Sequence, residues 1–348
     1  MAVVQGDIEE LLRALLLPDP PARRLAWDHW RADIDLAALP YNCQLFLPAL
    51  NPSLSTWLVD DPAAGVFQGI IRLIWTQNQL RLRDACDVMS RLQAAGVRKP
   101  AVVGPLAWAL RTNPPAVRTI PNNLMFLVSR EDVGKAYQAL LGAGWQPYCD
   151  APFGEWLDWS GHVSFARDNL QLHLYWRLVR TKPEDALDCE KAFLARLQEI
   201  EWNRTALLTT SPDATLLHIL QGAPESGSLP WQADVLLTAT PRMNWTKFRK
   251  LALRFSPAAL ERLSELHEWN PLLAPWLPTD RRSLLRRKFG LFWSEYRAAS
   301  YSRREPPGWL GFLQYLQVRW NAPSMWHMPL AGARRAFHYR RTLFASFK

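Results

Sequence analysis

The stretch RTIPNNLMFLV, Arg118 to Val128, enters an apolar, strand-like run through Asn123 and Met125. Side chains at i and i+2 of a strand leave the same face, so two groups at this spacing can act on one ligand. A pair of carboxylates so placed could share two Mg²⁺ ions about 3.5–4 Å apart and clamp the attacking and leaving oxygens of a phosphate-transfer reaction. Asn123 brings a neutral amide oxygen instead, and Met125 a soft thioether. Mg²⁺ demands hard oxygen ligands in near-octahedral array, so this pair does not suit it. The bland alternative is a core strand, for which Met, Leu, Phe and Val are ordinary residues.

The elements around this strand follow from periodicity. The first hundred residues read as helices: DIEELLRALL starts on an acid that can cap, PPARRLAWDHWRADIDLAAL follows two prolines, and Gly65–Gly96 keeps apolar residues at three-to-four spacing and closes on glycine. The period then changes. VRKPAVVGPLAWAL predicts a short strand, Gly104 and a helical turn; NNLMFLV a second strand; EDVGKAYQALLGAGW a glycine-closed helix. HVSFARD and LQLHLYWRLV predict a hairpin turning at Asp168-Asn169. From Thr181 the pattern predicts helices, beginning with PEDALDCEKAFLARLQEIE, and no internal repeat is visible.

Bulk properties narrow the classes. A chain of 348 residues, 49% apolar, suits two domains or one domain with a large extension. No run of 18 uncharged apolar residues occurs, and MAVVQGDIEELLRALLLPDP lacks the basic start and cleavage site of a secretory signal, so a cytoplasmic protein is expected. Cys43, Cys86, Cys149 and Cys189 form no Cys-x-x-Cys pair and the seven histidines no His-x-x-x-His, which argues against a zinc site and for buried free thiols. The net charge of +9 is concentrated at the end: Trp276–Lys348 holds 14 Lys or Arg against 3 Asp or Glu, interleaved with aromatics. Such a tail suits nucleic acid, an acidic partner or an anionic surface, and equally a solvated helical face.

The order of these pieces resembles the nucleotidyltransferase superfamily, and within it the bacterial nucleotidyltransferase family proteins. VVGPLAWAL keeps Gly104 with Val103 at the lysine position; RTIPNNLMFLV keeps Arg118 and the Leu127-Val128 ending, with Asn123 and Met125 at two acid positions; GAGW closes the helix at Trp145. HLYWRLV keeps Trp176, Arg177 and Leu178, with His173 at the third acid position and Tyr175 at the histidine, and LPWQADVLL keeps Trp231 and Asp234. The likeness spans about residues 40 to 270.

The resemblance implies an α+β fold: a small mixed nucleotidyltransferase-like sheet with flanking helices plus a mainly α-helical C-terminal domain. Its implied division is a helical region at 1–97 packing on the core, the α/β core at 98–180, and a helical domain with the basic aromatic tail at 181–348. It implies a cleft without catalytic or metal-binding acids at Asn123, Met125 and His173, and a substrate-binding set of Gly104, Arg118, Tyr175, Trp176, Trp231 and Asp234. No cofactor is then expected, and the protein acts by binding, as a scaffold or regulator of a protein partner or on a small-molecule ligand in a bacterial biosynthetic pathway. Two alternatives stay open. One is an active nucleotidyltransferase that moves a nucleoside monophosphate to a small molecule, sugar or peptide, with Mg²⁺ held by other acids such as Asp60, Asp61, Glu155, Asp158 or Asp168. The other is a nucleic-acid binder using the tail, with steep salt dependence.

Overall fold

The computed structural model describes residues 5–111 apart from 18 and 45, then 120, 123–148, 153, 154, 157, 161–179, 181, 185–222, 234, 235, 238, 243–264, 293, 296, 308–319, 326 and 329. The chain divides into two compact units, residues 1–157 with 161–277, and residues 158–160 with 278–348.

In the first unit the helical start expected from the pattern is present as α1 (Gln5–Leu16), α2 (Pro20–Asp33), α3 (Tyr41–Gln44), α4 (Leu47–Trp57) and α5 (Ala64–Ala94). Local chemistry sets their ends. The Asp19 carboxylate accepts the Ala22 amide at 3.0 Å, and Pro20 and Pro21 fill positions whose amides have no helical partner. α5 buries Phe67, Ile74, Asn78, Leu82, Ala85, Val88, Met89 and Leu92 along one stripe.

A seven-stranded mixed sheet follows, in the order β3-β4-β5-β2-β1-β7-β6. Its strands are β1 (Ala101–Val102), β2 (Asn123–Leu127), β3 (Gln146–Pro147), β4 (His162–Arg167), β5 (Leu170–Tyr175), β6 (Leu197–Trp202) and β7 (Thr205–Thr210). Helix α6 (Gly104–Arg111) lies between β1 and β2, and α7 (Val133–Gly142) between β2 and β3. α7 closes as its Gly-Ala-Gly suggests: Gly144, at φ +83°, donates to Leu141 and Trp145 to Leu140, which satisfies the last carbonyls. The β4–β5 hairpin turns at Asp168-Asn169, as predicted.

One expectation fails. The helix predicted over 183–201 ends early: α8 (Ala186–Leu194) stops at Ala195, and Leu197–Trp202 is edge strand β6, paired antiparallel with β7. The turn explains both the strand and why its signal is weak. Asn203 and Arg204 sit at φ +47° and +63°, the type I′ arrangement that matches strand twist, but with arginine where glycine is the usual cue. The sheet therefore runs on to Thr210, and β7 lies parallel to β1.

Helices α9 (Pro212–Gly222), α10 (Trp245–Phe255) and α11 (Pro257–Ser264) complete the described part of this unit. Asn244 caps α10 by accepting the Lys247 amide at 2.9 Å. The sheet separates two apolar cores. One joins α1, α2, α4 and α9–α11; the other joins the C-terminal half of α5, α6 and α7 to the opposite face of the strands. Cys86 and Cys189 are free thiols, and burial raises the Cys189 thiol to about 12, as expected of an inert buried thiol.

The second unit is described chiefly through α12 (Trp309–Arg319), where Phe312 is buried. Trp293 stacks on Trp309 at 4.9 Å and meets Phe312 edge-on at 4.8 Å, so these aromatics pack on one another. No described helix of the chain is long and apolar enough to cross a membrane.

Candidate functional site

Strand β2 is held in place by backbone bonds and two buried polar side chains. Asn78, fully buried in α5, accepts the Ile120 amide at 2.8 Å and so fixes the approach to the strand. Val103 donates to the Met125 carbonyl and Val128 to that of Tyr175, both at 2.9 Å. Beyond the strand, buried Asp132 accepts the backbone amide of Arg98 at 3.0 Å and its Nε at 3.1 Å, with Lys135 Nζ at 3.3 Å. Burial alone would raise the Asp132 pKa; these donors outweigh it and hold the carboxyl below its ordinary value.

Pairing brings alternate residues of three strands onto one face. Parallel β2 and β5 set Asn123 opposite Gln171, Met125 opposite His173 and Leu127 opposite Tyr175. Antiparallel β4 sets Ser164 opposite His173 and His162 opposite Tyr175. Asn123, Met125, His173, Tyr175, Ser164 and His162 are all only part-buried, whereas the residues between them are sealed. The face is thus a partly open floor on strands whose other side is solid core.

This floor is imidazole, aromatic and thioether. Ser164 Oγ lies 2.8 Å from His173 Nδ1. The His162 ring stacks on Tyr175 at 5.0 Å, and His218 of α9 meets Tyr175 edge-on at 5.6 Å. His218 Nδ1 lies 3.0 Å from the Leu178 carbonyl, which can only accept, so Nδ1 carries the proton. Burial lowers the pKa of both His173 and His218 from the usual 6.5, which favours neutral rings at pH 7. Asn123 Oδ1 is buried and makes no hydrogen bond.

The paired positions of this floor carry no carboxylate. Among the described residues no three His, Cys, Asp or Glu side chains converge in a way that could hold a metal ion. The Mg²⁺ chemistry implied by the fold family does not fit an amide oxygen, a thioether and an imidazole that hydrogen-bonds to serine.

Gly104 has two reasons to be glycine. Its φ is +66°, and a Cβ there would lie 2.6 Å from Met125 Sδ, so the thioether fills the space beside the start of α6. Tyr175 is on the floor. Trp176 is not: it is almost fully buried in the core of the opposite face. Asp234 is half-buried in a helical segment. Arg118 and Trp231 lie outside the described residues, as do Glu155 and Asp158. Of the other acids considered, Asp61 is held by Arg31 at 2.8 Å, and that hydrogen bond lowers its pKa. Asp168 occupies the exposed hairpin turn at φ +53°.

Three residues of the floor escaped the sequence reading: His162, Ser164 and His218. Alternation within HVSFAR does place His162 and Ser164 together on the face away from Val163 and Phe165, so the signal for those two was present. His218 comes from a distant helix and had none.

A family described as uncharacterised nucleotidyltransferase matches residues 59–258, more than half the chain and the stretch that carries the sheet. The chain belongs to this nucleotidyltransferase family. No curated protein matches it.

Proposed function

We propose that this nucleotidyltransferase-family protein works by binding rather than by two-metal nucleotidyl transfer. Its cleft serves a partner protein or a small-molecule ligand, as a scaffold or regulator. The observation that carries this reading is the composition of the floor: nine facing positions on β2, β5 and β4 include no Asp or Glu. Two Mg²⁺ ions bring four positive charges into a low-dielectric cleft, and without anionic ligands that concentration of charge is strongly unfavourable. Neutral His173 and His218 add no negative charge, and Met125 fills the space beside Gly104. A bacterial biosynthetic setting rests on the family likeness alone.

The test is incubation of the full chain with triphosphates labelled at the α-phosphate, Mg²⁺ or Mn²⁺, and sugar, peptide and small-molecule acceptors. The expected result is no labelled product. Transfer that disappears in Asn123→Ala with His173→Ala would show that the neutral floor is a working active site and overturn the reading.

A further inference from the structure

The heptapeptide TTSPDAT, Thr209 to Thr215, contains five of the ten buried polar or charged residues among those described: Thr209, Thr210, Ser211, Asp213 and Thr215. The threonines are satisfied. Thr210 and Thr215 share a hydrogen bond at 2.8 Å, and Arg111 Nη2 donates to Thr209 Oγ1 at 2.7 Å and also to the Thr210 carbonyl. Three atoms beside them are not. Ser211 Oγ and Arg111 Nε are buried without a hydrogen bond, and Asp213 Oδ2, also without one, has only an ion-pair contact with Arg196 Nε at 3.5 Å; Ser211 and Asp213 are 5% and 6% exposed. Buried polar atoms in native proteins are seldom left without partners, so Ser211 Oγ and Arg111 Nε beside a carboxylate with an unfilled hydrogen-bond site call for a missing one.

Topology points to the same place. β1 and β7 are parallel neighbours, with Val102 opposite Thr209. The helix after β1 buries Leu106, Ala107, Trp108 and Leu110 in the core on one face, whereas the helix after β7 buries Ala214, Leu216, Leu217 and Leu220 in the core on the other. Neighbouring parallel strands whose helices leave to opposite faces open a crevice beyond their carboxyl ends, where ligands of α/β sheets bind. α9 starts at Pro212, directly after β7, so its positive dipole end, where the earliest amides lack intrahelical acceptors, lies at the carboxyl end of that strand. Arg111 and Arg196 stand beside it; Arg196 Nε is 3.5 Å from Asp213 Oδ2.

We propose that this crevice, on the side of β1 away from β2, binds a small molecule carrying an oxyanion and a neighbouring hydroxyl. The oxyanion takes Arg111 Nε, the Ser211 hydroxyl and the first amides of α9. The hydroxyl donates to Asp213 Oδ2. Arg111 is anchored by Thr209 and Thr210, whereas the Arg196 side chain, 31% exposed and in contact with Asp213, moves aside to admit the ligand. The oxyanion can be a phosphate or a carboxylate. The site is independent of the Asn123–His173 floor, and its failure would leave the reading of that floor untouched.

Calorimetric titration of the full chain with glycerol 3-phosphate, glycerate and inorganic phosphate tests it. Saturable binding of glycerol 3-phosphate identifies a phosphate site, and of glycerate a carboxylate site; either is expected to exceed inorganic phosphate, which lacks the hydroxyl. Loss of one hydrogen bond to a charged group predicts about tenfold weaker binding in Ser211→Ala and in Asp213→Asn. Binding in Asn123→Ala is expected to be unchanged. Ser211→Ala removes one buried hydroxyl and keeps the fold, so it decides the matter should Asp213→Asn fail to fold. Absence of saturable binding of all three probes, or affinity unaltered by Ser211→Ala, would overturn the proposal.

Discussion

On β2, β5 and β4, the side chains of Leu124, Phe126, Leu172, Leu174, Val163 and Phe165 are sealed in an apolar core. Those of Asn123, Met125, His173, Tyr175, Ser164 and His162, one residue away on the same strands, stay part-open and polar or soft. The two faces share one backbone and one set of hydrogen bonds, so the difference between them is one of side chains alone. The apolar face holds the sheet to its core, and on the open face Met125 and Tyr175 pack against the other core while the polar side chains beside them stay part-open.

Substitutions that separate the two faces should differ most in stability. Phe126→Ala empties part of the sealed core and is expected to cost about 3–5 kcal/mol, whereas His173→Ala, which removes one part-buried ring and its bond to Ser164, should cost about 1 kcal/mol. Urea denaturation of both variants measures this directly. Equal losses would mean that the open face is as structural as the closed one.

The next effect concerns the brace beneath the strand. Asn78→Ala leaves the buried Ile120 amide without its acceptor and should destabilise the protein by about 1–3 kcal/mol. Hydrogen exchange localises the damage: protection should fall first at Ile120 and along β2. Uniform loss across both cores would contradict a local role.

The faces also differ in their response to pH. His173 and His218 have pKa values below 6.5 in the folded chain, while the unfolded chain takes up protons near 6.5. The unfolded state then binds more protons just below 6.5, so the stability these rings contribute is complete above that pH and is lost as the pH falls through their lowered values. His173→Phe with His218→Gln should flatten this part of the stability profile. Asp132 obeys the same sign lower down: its stabilisation is present above the ordinary carboxylate pKa and is lost as the pH drops through its depressed value, so Asp132→Asn should leave the slope below 6.5 in place.

The smallest effect is expected far from either face. Arg204 sits at φ +63° in the β6–β7 turn, and Arg204→Gly should stabilise the hairpin by up to about 1 kcal/mol, visible as a small rise in thermal midpoint.

Much of this comparison was legible in the sequence. Alternation in NNLMFLV and HVSFAR separates the sealed residues from the open ones, and prolines, capping aspartates and glycines mark the helix ends. Less legible were features that depend on partners distant in the chain. LQEIEW looks like the tail of a helix until β7 is there to pair with it, and its Asn-Arg turn lacks the glycine that usually announces a hairpin. Trp176 follows Tyr175 in sequence but enters the opposite core, because successive strand residues leave opposite faces. His218 reaches Tyr175 only through the packing of α9, and the cluster at Thr209–Thr215 is an ordinary polar loop by composition until burial is known.

The proposed function turns on whether the open face, which has no anionic group at its paired positions, can hold Mg²⁺ with a nucleotide. Titration of ATP into the protein with and without Mg²⁺ tests this, alongside a variant in which Asn123→Asp, Met125→Asp and His173→Asp introduce three acids. No Mg²⁺-dependent affinity is expected in the natural chain, and its appearance is expected in the variant. Mg²⁺-dependent ATP binding by the natural chain that is abolished by Asn123→Ala and His173→Ala would contradict it.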